Sequence, residues 1–402
     1  MKQALRGVRV LDFTQVMAGP FCSMLLGDLG ADVIKIEPPG GDTTRRMGNR
    51  QGTESAGFWA VNRNKRGIVL NLKDQRARDI ARALAQHADI MVENYRPGVM
   101  AAFGLGYNDL RVLNPGLIYA SVSGFGSTGP YAQRGGFDLV AQGMSGIMSI
   151  TGEAGMPPVK CGVPITDLGG GLFVLQGILA AYIHRLQTGE GQYIDTSLLE
   201  AGIAMSVWES TQYFTTGDIP EPMGSAHRMS APYQAIRCAD GYINLGAANQ
   251  RNWEKFAQAI GRPELLEWPE FAEDRLRVKN RQQLTVEIEK VTNTRPRAHW
   301  LQVLEEIGVP GGPILNYAEV FADPHVQARG MVQEVNHPVG GRIRMLGPAA
   351  KLSETPAQLT RRPPLYGEHT AEVLRELGYS EADIQELAKT DAVVLGEDSG
   401  EK

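Results

Sequence analysis

The chain has 402 residues, 43% hydrophobic and 21% charged, with a formal net charge of −5. This balance can fill one large or two medium cores and leaves no extended basic face for a phosphate backbone, which excludes nucleic acid as a main partner. Three cysteines, Cys22, Cys161 and Cys238, stand far apart with no CxxC or Cys/His grouping; this excludes a disulfide framework and a zinc site and predicts reduced thiols in a cytoplasmic protein.

The first ten residues carry no apolar signal segment and read as the approach to a strand. From there β-branched runs at 8–12, 33–37, 68–72, 90–94 and 117–122 alternate with helical patterns at 21–29 and 77–85. The alternation predicts an α/β fold, a Rossmann-like large domain with a parallel sheet. The loop Met17-Ala18-Gly19-Pro20 lacks GxGxxG, although Glu37 closes the second strand where a dinucleotide fold places its ribose-binding carboxylate; a nicotinamide cofactor is therefore rejected. Residues 124–164, rich in Gly, Ser, Pro and Met, read as loops over a ligand. An apolar helix over 168–186 follows; its apolar run, 168–183, opens with three glycines, is interrupted by Gln176 and is too short and too broken to span a bilayer. A strand at 193–196 and a helix at 198–213 come next. Short strands at 235–238 and 242–245, then charged helices at 252–260, 281–292 and 297–307, predict a smaller α+β domain. The expected division is 1–204, 205–329 and 330–402, the last part returning to the large domain with a strand at 346–352 and helical periodicity over 367–389.

Asp167 lies in Pro164-Ile165-Thr166-Asp167-Leu168-Gly169-Gly170-Gly171, at the start of the long helix. There it is expected to accept backbone N–H bonds and feel the positive end of the helix dipole, which together keep a carboxylate ionised and nucleophilic toward a thioester. The glycines leave room for a substrate backbone or the thin arm of a ligand to come close. The plainer reading is an N-cap, and the two are compatible. Lys65, Arg66, Lys73 and Arg96 fall at strand ends or in loops, where an open sheet binds ligands at its carboxyl edge, and are candidates for holding a ligand's phosphates or simply solvated surface charge. No His pair has ligand spacing and no GxSxG is present, so neither a metal nor a serine hydrolase is expected.

Several motifs together carry a resemblance: Val10-Leu11-Asp12-Phe13-Thr14, Ala18-Gly19-Pro20, the run Gly30 to Asp42, Asn64-Lys65-Arg66, Val92 to Gly98, Ser123 to Gly126 and Gly367-Glu368-His369-Thr370. Over nearly its whole length the chain resembles the class III CoA-transferases, the group of formyl-CoA, carnitine and bile-acid CoA-transferases. The resemblance implies that Asp167 is the nucleophile, forming covalent aspartyl intermediates without metal or redox cofactor, the CoA thioester being the only cofactor-like molecule. It carries CoA contacts onto Met17, Ala18, Leu70, Leu72, Lys73, Asn94, Tyr95 and Arg96, and places Phe137 and Asp138 at the reactive end. Formyl-CoA transferase has arginines where this chain has Pro38 and Ala102, so Arg96 or Arg134 is expected to take over phosphate contacts. That enzyme's glycine-rich covering loop is also missing, which points away from formate and oxalate toward larger dicarboxylates such as succinate. Homodimers of interlocked rings are implied as well, with acyl-CoA and carboxylic acids as the other partners and no membrane.

The alternative from the same fold is a 2-methylacyl-CoA racemase, which needs a base on each face of the α-carbon and pairs its Asp with a Gly-His-Asp loop. Here that loop reads Gly136-Phe137-Asp138, and phenylalanine transfers no proton. A non-catalytic CoA-binding protein is the third reading.

Overall fold

The computed structural model describes residues 2–51 and 54–396. The chain divides into two compact units: one formed by residues up to 147, by 160–216 and from 324 onward, the other by 148–159 and 217–323. The smaller unit thus takes up 148–159, a segment that composition does not set apart from its surroundings.

In the larger unit six parallel strands, β1 (Arg9–Asp12), β2 (Asp32–Glu37), β3 (Lys65–Leu70), β4 (Ile90–Glu93), β5 (Ile118–Ser123) and β6 (Tyr193–Ser197), lie in the order 3-2-1-4-5-6, and Val393–Val394 joins antiparallel outside β3. This is the doubly wound order, and its direction reverses between β1 and β4. Both faces are covered, as an all-parallel core requires. Leu11, Ile34, Met91 and Tyr119 belong to one cluster with the helix Gln75–Gln86 and the C-terminal helices Thr370–Glu376 and Glu381–Lys389. Their neighbours Val10, Val33, Val92 and Ala120 belong to the other, with α1 (Ala18–Asp28) and the long helix described below. The period of two is why these strands read as unbroken apolar runs.

Three differences from the sequence reading concern elements. Residues 124–164 include a helix, α2 (Asp138–Met144), and a single turn at Ile147–Ile150. The helix expected over 198–213 is two, α4 (Leu198–Met205) and Val207–Thr216, divided at Ser206, whose hydroxyl donates to the Ile203 carbonyl and meets Ser210 Oγ. The long helix between α2 and α4, α3, runs Ile165–Thr188. No strand covers 346–352; Leu346 instead closes an antiparallel hairpin of Val332–His337 with Gly341–Leu346. By length and composition α3 is in fact long and apolar enough to cross a membrane, but Val174, Ile178 and Ala181 are buried in the second core cluster.

The smaller unit pairs a three-stranded antiparallel sheet (Tyr233–Cys238, Gly241–Gly246, Gly311–Pro313) with helices whose Trp253, Phe256, Leu284, Ile288 and Trp300 fill one core.

Candidate active site

A cavity of about 370 Å³ opens at the carboxyl ends of β1, β4 and β5, at the reversal of strand order where an open α/β sheet leaves a crevice. Its walls come from Gln15 to Ala18 after β1, Asn94 to Pro97 after β4, the end of β5 at Val122 and Ser123 with Gly124 beyond it, and Arg134 to Asp138 leading into α2. Asp167 of α3 and Leu198 of α4 complete it.

Two close backbone approaches set the shape. Gly136 lies against Gly124, and a methyl group on Gly136 would stand 2.4 Å from the Gly124 Cα, so neither position tolerates a side chain without moving a wall. A methyl on Gly171 would stand 2.7 Å from the Ala18 carbonyl oxygen. The three glycines after Asp167 therefore serve contact of α3 with α1 and α4, and being buried they leave no room for a pantetheine arm, contrary to expectation.

Asp167 is the third residue of α3; Pro164 precedes the helix and supplies no side-chain cap. The N–H at the second position is taken by a different carboxylate. Asp138 Oδ1 accepts from Thr166 N at 3.0 Å and from Thr166 Oγ1 at 2.8 Å, while its Oδ2 accepts from Gln142 Nε2 at 2.7 Å. Gln142 is fully buried and accepts from Cys161 N at 2.8 Å. Asp138 thus caps α3 and leaves the half-buried Asp167 carboxylate with no hydrogen-bond donor among the described residues. The expected ionised cap is corrected accordingly: burial, and then the neighbouring Asp138, push Asp167 up from 3.8 to about 7.

Met17, Ala18, Asn94, Tyr95, Arg96, Arg134, Phe137 and Asp138 line the same cavity as Asp167. Leu70, Leu72 and Lys73 do not. Leu70 is buried in the first core cluster with Leu72 packed against it, and Lys73 is exposed in the turn after β3. Asn94 braces the first loop, accepting from Gln15 N at 2.8 Å and donating to the Gln15 carbonyl at 2.7 Å. Arg96 and Arg134 are exposed and have no carboxylate partner among the described residues; Arg134 lies over the Tyr131 ring, 4.0 Å from its centroid. Phe137 is 75% exposed.

The remaining cationic candidates are frame residues. Lys65 and Arg66 are the first two residues of β3, at its amino end and away from the carboxyl edge where the cavity opens. Lys65 Nζ, fully buried, donates to Asp12 Oδ2 at 2.9 Å, to the Pro20 carbonyl and to Asn62. Arg66 ties β2 to the C-terminal helix through Asp32, Glu372 and Glu376. Glu37 is buried in a two-pronged pair with Arg45, at 2.7 and 2.8 Å, so it reaches no ribose. Sequence reasoning missed Gln15, whose Nε2 donates to Tyr95 OH at 3.2 Å on the cavity wall; a lone polar residue in the loop after β1 was its only signal. Among the described residues no cluster of metal-ligating side chains occurs.

The family model described as CoA-transferase family III matches residues 5–370. The chain belongs to this family. Human succinyl-CoA:glutarate CoA-transferase is 42% identical over 97% of this chain and 90% of its own length. Succinyl-CoA:mesaconate CoA-transferase of Haloarcula marismortui is 40% identical over 93% of this chain and 96% of its own. A CAIB/BAIF family protein from Brucella suis, solved by crystallography, superposes with a TM-score of 0.84 at 38% identity, covering 94% of this chain and 100% of that one. As a class III CoA-transferase the protein is an enzyme acting on CoA thioesters and carboxylates, and the resemblance seen in its motifs holds.

Proposed function

We propose that this CoA-transferase moves CoA between dicarboxylic acids of four or five carbons, succinate among them, through covalent intermediates on Asp167. The observation that carries this reading is a carboxylate that, among the described residues, has no hydrogen-bond donor and lines the same cavity as two arginines without a carboxylate partner. An anion stripped of donors is a stronger nucleophile than a solvated one, and burial that raises its basicity raises its nucleophilicity too. The similarity to transferases named for succinate, glutarate and mesaconate supports the substrate class.

In the proposed sequence an Asp167 oxygen attacks the thioester carbonyl carbon, the C–S bond breaks, and a mixed anhydride and CoA thiolate result. The thiolate attacks the Asp167 carbonyl of the anhydride, releasing the donor acid as carboxylate and leaving an aspartyl-CoA thioester. The acceptor carboxylate attacks that thioester, re-forming an anhydride and the thiolate, which takes the acceptor acyl group and frees Asp167. Every step exchanges one anion for another, so no proton and no electron is needed.

Donor acyl-CoA supplied alone, then hydroxylamine, is expected to leave a hydroxamate at Asp167 detectable by mass spectrometry, with no deuterium entering the α-carbon of a 2-methylacyl-CoA in deuterated water. Rapid exchange without a trapped adduct would make Asp167 a base and the enzyme a racemase.

Arg96 and Arg134, with no carboxylate to hold them among the described residues, are assigned to anionic groups of the substrates, with Met17, Ala18, Asn94 and Tyr95 beside CoA and Phe137 and Asp138 beside the acyl group. Arg96→Ala and Arg134→Ala should each weaken CoA binding by about tenfold in calorimetry, the size of one charge-assisted contact. Unchanged affinity in both would move the CoA site elsewhere.

We further propose a homodimer, interlocked as the resemblance implies. Support comes from Leu172, Ile183 and Leu186 on α3, Ile203 on α4, and Trp208 and Phe214 on the next helix, all exposed; such a density of apolar side chains is the mark of a surface that a partner covers. A cytoplasmic location accords with three cysteines that are all free thiols.

A further inference from the structure

The loop that delivers Gln15 to Ala18 to the cavity holds a backbone that its sequence disfavours. Val16 sits at φ 70°, in the left-handed region, where a β-branched side chain collides with its own backbone. Such a conformation persists only if the surroundings impose it, and here fully buried charges do so. Lys35 of β2, fully buried, donates to the Thr14 carbonyl at 2.6 Å and pairs with Asp42 Oδ2 at 2.9 Å. Asp42, also fully buried, accepts the Val16 N–H at 3.4 Å on its other oxygen, which Thr44 fixes from two sides at 2.9 and 2.8 Å. Thr14 and Val16 itself are thus tied to one buried ion pair beside the loop. Burial by itself would lower the Lys35 pKa; the Asp42, Asp12 and Glu37 carboxylates outweigh it and hold the ammonium above the usual lysine range, so the brace is charged.

We propose that Lys35, paired with Asp42, is a positioning residue for CoA transfer: it fixes the Thr14 carbonyl and, through Asp42, the Val16 amide, and so holds the loop between β1 and α1 in the strained form that lines the Asp167 cavity. Neither residue touches the cavity. The inference rests on reading that cavity as the transfer site.

The test is a double-mutant cycle on the full chain, with kcat for succinyl-CoA and glutarate and the calorimetric Kd for CoA as readouts. Lys35→Met alone should lower kcat and weaken CoA binding by about tenfold or more, whereas the same change made together with Val16→Gly should cost less than about threefold relative to Val16→Gly, because glycine holds φ 70° without a brace. A buried lysine that merely stabilises the fold would show the same loss in both backgrounds. That result, or no loss in either, overturns the proposal. If Lys35→Met does not fold, Asp42→Asn, which keeps the shape and an acceptor for Thr44, carries the same comparison. CoA affinity is read without turnover, so a failure of Asp167 as nucleophile leaves the cycle intact and is detected separately by the trapping experiment.

Discussion

Asp167→Asn should lower turnover by about a thousandfold or more and at the same time raise the melting temperature at pH 8. The two effects share a cause. An acid whose pKa in the folded protein is about 7, against an ordinary 3.8, binds a proton in the native state that it has lost in the unfolded chain. Stability therefore falls as pH rises from near 4 to near 7 and stays lower above that. The full shift corresponds to no more than about 4 kcal/mol, less where water reaches the half-buried carboxylate. Asparagine keeps the shape and carries no charge, so its advantage in melting temperature should be absent near pH 4, grow to pH 7 and level off. Calorimetric scans across pH 4 to 8 measure it. A variant that turns over normally ends the covalent mechanism; one that loses activity and also melts lower at pH 8 ends the claim that the site stores unfavourable charge.

Lys65→Met should cost about 3–5 kcal/mol, a drop in melting temperature of the order of 10 °C. The Asp12 carboxylate beside Lys65 is fully buried; burial would raise its pKa, yet Lys65, Lys35, Ser23 and Thr14 hold it well below the carboxylate range. Removing the lysine leaves that anion without its nearest counter-charge. The desolvation carried by the pair shows on the other partner, since burial brings Lys65 down to about 8 against the pull of Asp12. Lys73→Ala, an exposed lysine in the turn after β3, should change stability by less than about 0.5 kcal/mol. Should Lys65→Met instead weaken CoA binding at an unchanged melting temperature, Lys65 is a phosphate ligand after all.

The contrast between those two lysines shows what the sequence could and could not reveal. Strand periodicity, the doubly wound layout and the position of Asp167 were legible, because apolar runs and a helix start are local patterns. Whether a motif builds the site or the frame was not, because that depends on pairing across the chain. Asn64-Lys65-Arg66 looks like a cationic binding loop, yet Asn64 accepts from Thr360 and Arg361, Lys65 pairs with Asp12, and Arg66 reaches Glu372. Gly367 to Thr370 likewise returns to β3, where the Gly67 N–H donates to His369 Nδ1 and the Val69 N–H to Thr370 Oγ1. The Asp167 environment was misjudged for the same reason: its cap belongs to Asp138, a residue 28 positions from Thr166 in sequence.

The outer neighbour of β3 has a consequence for biosynthesis. Val393 pairs with Leu70, so the edge of the main sheet is finished by residues made more than 300 positions later. At a translation rate of about 5–20 residues per second, the nascent chain presents that unpaired edge for on the order of half a minute. The charges waiting on it are left open for as long: Arg66 meets Glu372 and Glu376 only after the whole smaller unit has emerged. The larger unit cannot close until those residues have been made, and its yield in the cell will depend on what shields β3 in the interval.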